Sequence, residues 1–126
     1  FTDNDIEALP SLFLGSNEMT LLELSSMYNT FASLGNYYYP SFYNKILDFK
    51  DNEIDSKGNS SKPLLLKKYV TILNQSLLSP FDKKINKTNK PTMINYIPNV
   101  KYSAKSGSTN SDSYVIGYNP NYVVAI

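Results

Sequence analysis

Between Asn99 and Ile126 the chain reads NVKYSAKSGSTNSDSYVIGYNPNYVVAI. Two turn signals divide it. Ser111-Asp112-Ser113 is one, and Asn119-Pro120-Asn121 is the other. Both are polar and the second contains Pro, and such clusters break strands and reverse the chain. The flanking runs are rich in β-branched and aromatic residues. Val100 to Ser108, Tyr114 to Tyr118 and Tyr122 to Ile126 are therefore predicted strands, and short turns make them an antiparallel meander.

Working back from this meander, Leu64 to Leu78 carries Leu65, Tyr69, Ile72, Leu73 and Leu77 at helical spacing. A second helix is predicted there, with Pro63 in its first turn and Ser79-Pro80 as its stop. Lys83 to Asn89 (KKINKTN) reads as a solvated surface loop. Tyr37 to Phe49 is aromatic and aliphatic enough for a strand, with Lys50-Asp51-Asn52-Glu53 as a hairpin turn and Asp55 to Ser61 as a polar loop. Tyr37-Tyr38-Tyr39 fits a mixed strand with a phenol rim better than a stacking platform. Asp51 to Ser56 is not a calcium loop, because Ser56 stands where such a loop needs Gly and no Glu follows at the required offset.

Thr20 to Leu34 gives the clearest helix. Thr20 and Glu23 form a capping box, and Leu24, Met27, Tyr28, Phe31 and Leu34 form one apolar stripe. Gly35 is expected to supply the left-handed stop. Residues 1–19 read as a connector with an acidic turn at Asp3, Asp5 and Glu7 and a short apolar contact at Leu12-Phe13-Leu14. The expected fold class is α+β, with helices packed on an antiparallel sheet.

Composition narrows the chemistry. The 126 residues hold 12 cations, all Lys, against 11 carboxylates, for a net charge of +1. A near-neutral chain without Arg is a poor nucleic-acid binder, so no nucleic-acid partner is expected. Without His there is no Ser-His-Asp triad, and without Cys no thiolate zinc site. Acid-base work is left to Lys, Asp, Glu, Tyr or water, and no cofactor is expected. No apolar run approaches a membrane span. The chain stops within a strand-like pattern, so it is expected to be part of something longer.

The chemically richest segment is Lys105-Ser106-Gly107-Ser108-Thr109-Asn110. Gly at a strand end permits close approach, and Lys sets a positive charge beside it. Hydroxyls and edge amides can donate to an anion. Residue types alone leave two readings open: an anion-recognising strand edge, or a Ser-Gly-Ser turn with a solvated Lys.

This segment resembles the Lys-[Ser/Thr]-Gly-[Ser/Thr] motif of the penicillin-recognising serine enzymes. Ser11 to Leu24 is similar to their Ser-x-x-Leu-Gly-x-x-Glu-x-Thr-Pro-Leu-Glu-Leu segment, with Leu21 in place of Pro. Tyr28 to Pro40 resembles their Tyr-x-x-Phe-Ala-x-x-Gly-x-Tyr-x-x-Pro. Gly117-Tyr118-Asn119-Pro120 resembles the Gly-Tyr-x-Pro that follows the motif strand. Thr109-Asn110 looks like class A, the bifunctional penicillin-binding proteins.

The resemblance implies the C-terminal part of a transpeptidase domain, spanning residues 1–126. The other two signatures are missing. No Lys has a Ser three residues before it, and the one Ser-x-Asn, Ser108-Thr109-Asn110, lies in the third motif. By resemblance, the whole enzyme cross-links D-Ala-D-Ala stem peptides of peptidoglycan through a serine acyl-enzyme and is acylated by beta-lactams. Lys105 would supply positive potential and Ser108 a carboxylate contact plus an oxyanion amide. Ser106 would anchor the strand, Gly107 would open the edge, and Thr109 and Asn110 would shape the rim. The implied location is the outer face of the bacterial cytoplasmic membrane, through an anchor outside this chain. The missing half of the domain would be a partner, and this chain alone would be inactive. The alternative is a non-catalytic wall-binding or scaffold module that kept the fold.

Overall fold

The computed structural model describes residues 9–58, 60–96 and 99–126. The acidic turn expected at Asp3, Asp5 and Glu7 lies outside them. Helix α1 (Leu21–Ala32) opens with the expected capping box. The Thr20 amide donates to Glu23 Oε2 at 2.7 Å, and the Glu23 amide donates to Thr20 Oγ1 at 3.2 Å. Together they satisfy two of the amides that every helix start leaves open.

The exit from α1 differs from expectation. Leu34, not Gly35 alone, enters the left-handed region, with φ of 54° followed by 102° at Gly35. The Leu34 amide donates to Phe31 O and the Gly35 amide to Thr30 O. This is a Schellman closure with Leu at the position Gly usually holds. Leu34 therefore leaves the apolar stripe and is exposed, while Leu24, Tyr28 and Phe31 stay on the core.

The chain then forms β1 (Asn36–Tyr38), β2 (Lys45–Leu47), β3 (Glu53–Ser56) and β4 (Ser61–Pro63). β1 pairs antiparallel with β4, and β2 with β3. The expected hairpin is present, but β3 and β4 take up both ends of the expected polar loop. Asp48 holds its turn: Oδ1 accepts from the Lys50 and Asn52 amides at 2.7 and 2.9 Å, and Oδ2 from Asn52 Nδ2 at 2.8 Å. The Asn52 side chain and these amides hold the Asp48 carboxyl below the usual carboxylate range. A depressed folded pKa stabilises the fold above the unfolded value, near pH 4, and the gain is lost as pH falls through the folded pKa. The protection of the Lys50 and Asn52 amides against exchange, relative to the intrinsic rate at each pH, should fall below about pH 4. Asp48→Ala should abolish that pH dependence.

Helix α2 (Lys67–Leu78) starts three residues later than the sequence suggests. Pro63 is not in its first turn. It pairs with Asn36 in β4, and the next two amides, of Leu64 and Leu65, both donate to Gly35 O at 2.9 and 3.0 Å. This anchored crossing delays the helix. The inward face also differs. Val70 is 2% exposed, whereas Tyr69 and Ile72 are each 61% exposed. Of the expected stripe only Leu77 joins the core. The contact with the sheet runs through Asn74, a polar residue that the apolar periodicity does not weigh.

The meander forms in the expected order. β5 (Ser103–Ser108), β6 (Ser113–Tyr118) and β7 (Val123–Ala125) make a three-stranded sheet in that order. However, β5 starts at Ser103 rather than Val100, and Ser113 belongs to β6 rather than to the turn. The register pairs Ser108 with Ser113, Lys105 with Ile116, and Ile116 with Ala125. Both helices cover one face, α1 over β6 and β7 and α2 over β5. The core there holds Ala32, Ile116 and Tyr118, with Tyr28 edge-on to Tyr118 at 5.7 Å. On the other face Ala104 is buried, and the Tyr102 ring covers Gly117 and packs on Phe81 at 4.7 Å.

In the connector the expected apolar contact forms only in part: Leu12 is half-buried. Pro10–Leu14 is a 3-10 turn ended by left-handed Gly15, and Phe13 and Leu14 are almost fully exposed. A five-residue turn has no face wide enough to bury two adjacent side chains. No helix among the described residues is long and apolar enough to cross a membrane.

Candidate functional site

β5 is an edge strand. Among the described residues only β6 pairs with it. The Thr109 amide donates to Asp112 O at 2.8 Å, which fixes the hydrogen-bonding phase of the hairpin. In an antiparallel ladder the bonded pairs alternate. Gly107, Lys105 and Ser103 therefore bond β6, and the backbone groups of Ser108, Ser106 and Ala104 point away from it. The motif strand thus presents the Ser106 and Ser108 amides along its unpaired edge.

Two further features make this edge a donor surface. Lys105 Nζ folds back and donates to the Ser106 carbonyl, masking an acceptor. The ammonium stays exposed beside the amides. Gly107 is the second feature. A Cβ built there meets nothing within 4 Å, and its φ is ordinary. Gly in a strand interior costs about 0.5–1 kcal/mol relative to Ala. Neither packing nor backbone conformation among the described residues requires it. Gly107 leaves open space on the strand where a side chain would stand.

The sequence-selected residues divide into two groups. Lys105, Ser106, Gly107 and Ser108 lie together on β5. Thr109 and Asn110 sit in the turn that follows. Thr109 Oγ1 accepts from the Ser111 and Asp112 amides at 3.2 and 2.9 Å, pinning the β5–β6 turn. Asn110 is exposed at the tip.

Residues not selected from sequence hold the strand in place. Asn74 Nδ2 donates to Phe31 O at 3.0 Å, near the end of α1. Asn74 Oδ1 accepts from Tyr118 Oη at 2.7 Å, and its backbone O accepts from Ser103 Oγ at 3.1 Å. One residue of α2 thereby ties together α1, β5 and β6. Burial pushes the Tyr118 hydroxyl up from its ordinary pKa, so it stays a donor at neutral pH. A hollow of ≈ 410 Å³ lies elsewhere, among Leu78, Phe81, Val100 and Tyr102, and includes none of the motif residues.

An unpaired strand edge with outward amides, a lysine and an empty glycine position is suited to holding an extended, carboxylate-bearing ligand. In comparison with known proteins, the chain is similar to part of a penicillin-binding protein. That protein is penicillin-binding protein 2D of Bacillus subtilis (strain 168), 27% identical over 124 residues. The match covers 96% of this chain and 18% of that protein, so the chain spans under a fifth of its relative's length. No protein-family model matches the chain.

Proposed function

We propose that this chain is the C-terminal part of the transpeptidase domain of a class A penicillin-binding protein. The whole protein would act at the outer face of a bacterial cytoplasmic membrane. There it would cross-link peptidoglycan stem peptides through a serine acyl-enzyme and be acylated by beta-lactams. The nucleophile would come from the other half of the domain, because the chain has no Ser-x-x-Lys.

The observation that carries this reading is the unpaired edge of β5 at Gly107. In the proposed step the missing serine attacks the carbonyl of the penultimate D-Ala, and terminal D-Ala leaves with a proton. An amine of a second stem then attacks the acyl-enzyme, restoring the serine. The outward Ser108 amide would donate to the developing oxyanion, a contact whose loss typically lowers rates about 10²–10³-fold. Lys105 would hold the substrate carboxylate by charge, and Gly107 would leave room for the peptide along the edge. Exposed Tyr69 and Ile72 on α2 and Val124 on β7 support a partial domain, since such patches mark contact surfaces.

Lys105→Ala and Gly107→Val in the intact protein test the assignment. Each is expected to lower the benzylpenicillin acylation rate at least about 10²-fold. Folding should be unaffected, because Lys105 is exposed and Gly107 borders open space. Unchanged acylation in both variants would overturn the reading.

A further inference from the structure

Ser108 has a neighbour that the motif does not include. Ser113 stands directly opposite it in the register, in a pair whose backbones do not bond each other. Side chains approach closely in such pairs. The two hydroxyls lie 3.0 Å apart, and either atom can be the donor. No other hydrogen bond engages either hydroxyl among the described residues, and both residues are exposed.

A serine hydroxyl has one proton and two acceptor sites. If Ser108 donates to Ser113, the Ser108 proton is used up within the hairpin. If Ser113 donates to Ser108, that proton remains available. An anion at the β5 edge selects the second arrangement, because only then can Ser108 donate to it. Donation from Ser113 also polarises the Ser108 hydroxyl and strengthens its own bond. The turn holds the pair in place, since Thr109 Oγ1 fixes the amides of Ser111 and Asp112, immediately before Ser113.

We infer that Ser113 is a positioning residue for carboxylate recognition: it donates to Ser108 Oγ and so directs the Ser108 proton to a ligand carboxylate. This rests on the proposed acyl-transfer function. Ser113 touches no reacting atom. It acts through Ser108, and its effect is confined to ligands that carry the carboxylate.

The test compares benzylpenicillin with its methyl ester, which has no free carboxylate, as acylating probes of the intact protein. Ser113→Ala is expected to lower the acylation efficiency of benzylpenicillin about fivefold to tenfold, the scale of one hydrogen bond between neutral groups. The slower methyl ester reaction should not change. Ser113→Thr, which restores a hydroxyl, should recover most of the loss. An equal loss with both probes would mean that Ser113 only supports the hairpin, and would overturn the inference. So would an unchanged rate with benzylpenicillin. If the unmodified protein is acylated by neither probe, the acyl-transfer reading itself fails, and this inference fails with it.

Discussion

Replacing Gly35 by Ala is expected to destabilise the protein by about 3 kcal/mol or more, among the largest single-residue effects in the chain. Two costs combine. The residue has φ of 102°, a conformation that L side chains rarely adopt. An added Cβ would also stand 2.2 Å from the Leu65 carbonyl oxygen. That oxygen cannot move aside alone, because the Leu64 and Leu65 amides are both bound to Gly35 O. Relief requires shifting the crossing between β4 and α2, and with it the helix that holds β5. Thermal unfolding checks this, with soluble yield and protease resistance as readouts should the variant not fold. A melt within about 1 kcal/mol of the unchanged protein would mean that the crossing is looser than the structure describes.

Asn74→Ala is expected to cost about 2–3 kcal/mol. It removes one of the donors to Phe31 O, which keeps the Leu34 amide, and it takes away the acceptor of the partly buried Tyr118 hydroxyl. The Ser103 bond survives, because it uses the Asn74 backbone. A cycle with Tyr118→Phe separates the contributions. Once the Tyr hydroxyl is gone, Asn74→Ala should cost about 1 kcal/mol less. Strictly additive effects would mean that the Tyr118–Asn74 bond contributes nothing.

The elements legible in the sequence were those with local determinants. The α1 cap needed only Thr20 and Glu23, and the meander needed only its two turns. Both formed with nearly the expected boundaries. The motif residues Lys105 to Ser108 were placed together because a strand keeps neighbours together. What the sequence concealed depends on long-range pairing. Pro63 looked like a helix start because its partner Asn36 lies 27 residues away in the chain. Apolar periodicity ranks Tyr69 and Ile72 above Asn74 on α2, while hydrogen bonding to Phe31, Ser103 and Tyr118 turns the helix the other way. Leu34 in the left-handed region has no local signal, since Gly35 beside it was the better candidate. Ser113 reads in the sequence as the last residue of the Ser111-Asp112-Ser113 turn, whereas the observed register makes it the first residue of β6, opposite Ser108.

The outward amides of β5 and the open position at Gly107 bear on function only if another part of the same protein brings a nucleophile to that edge. Intact-mass measurement addresses this most directly. This chain, and the longer protein proposed to contain it, would be weighed before and after exposure to benzylpenicillin. The expected result is a penicilloyl adduct on the longer protein and none on this chain. An adduct on this chain alone would contradict the proposal by placing a reactive serine within residues 1–126. No adduct on either would contradict it as well, and would favour a wall-binding or scaffold module without acyl-transfer chemistry.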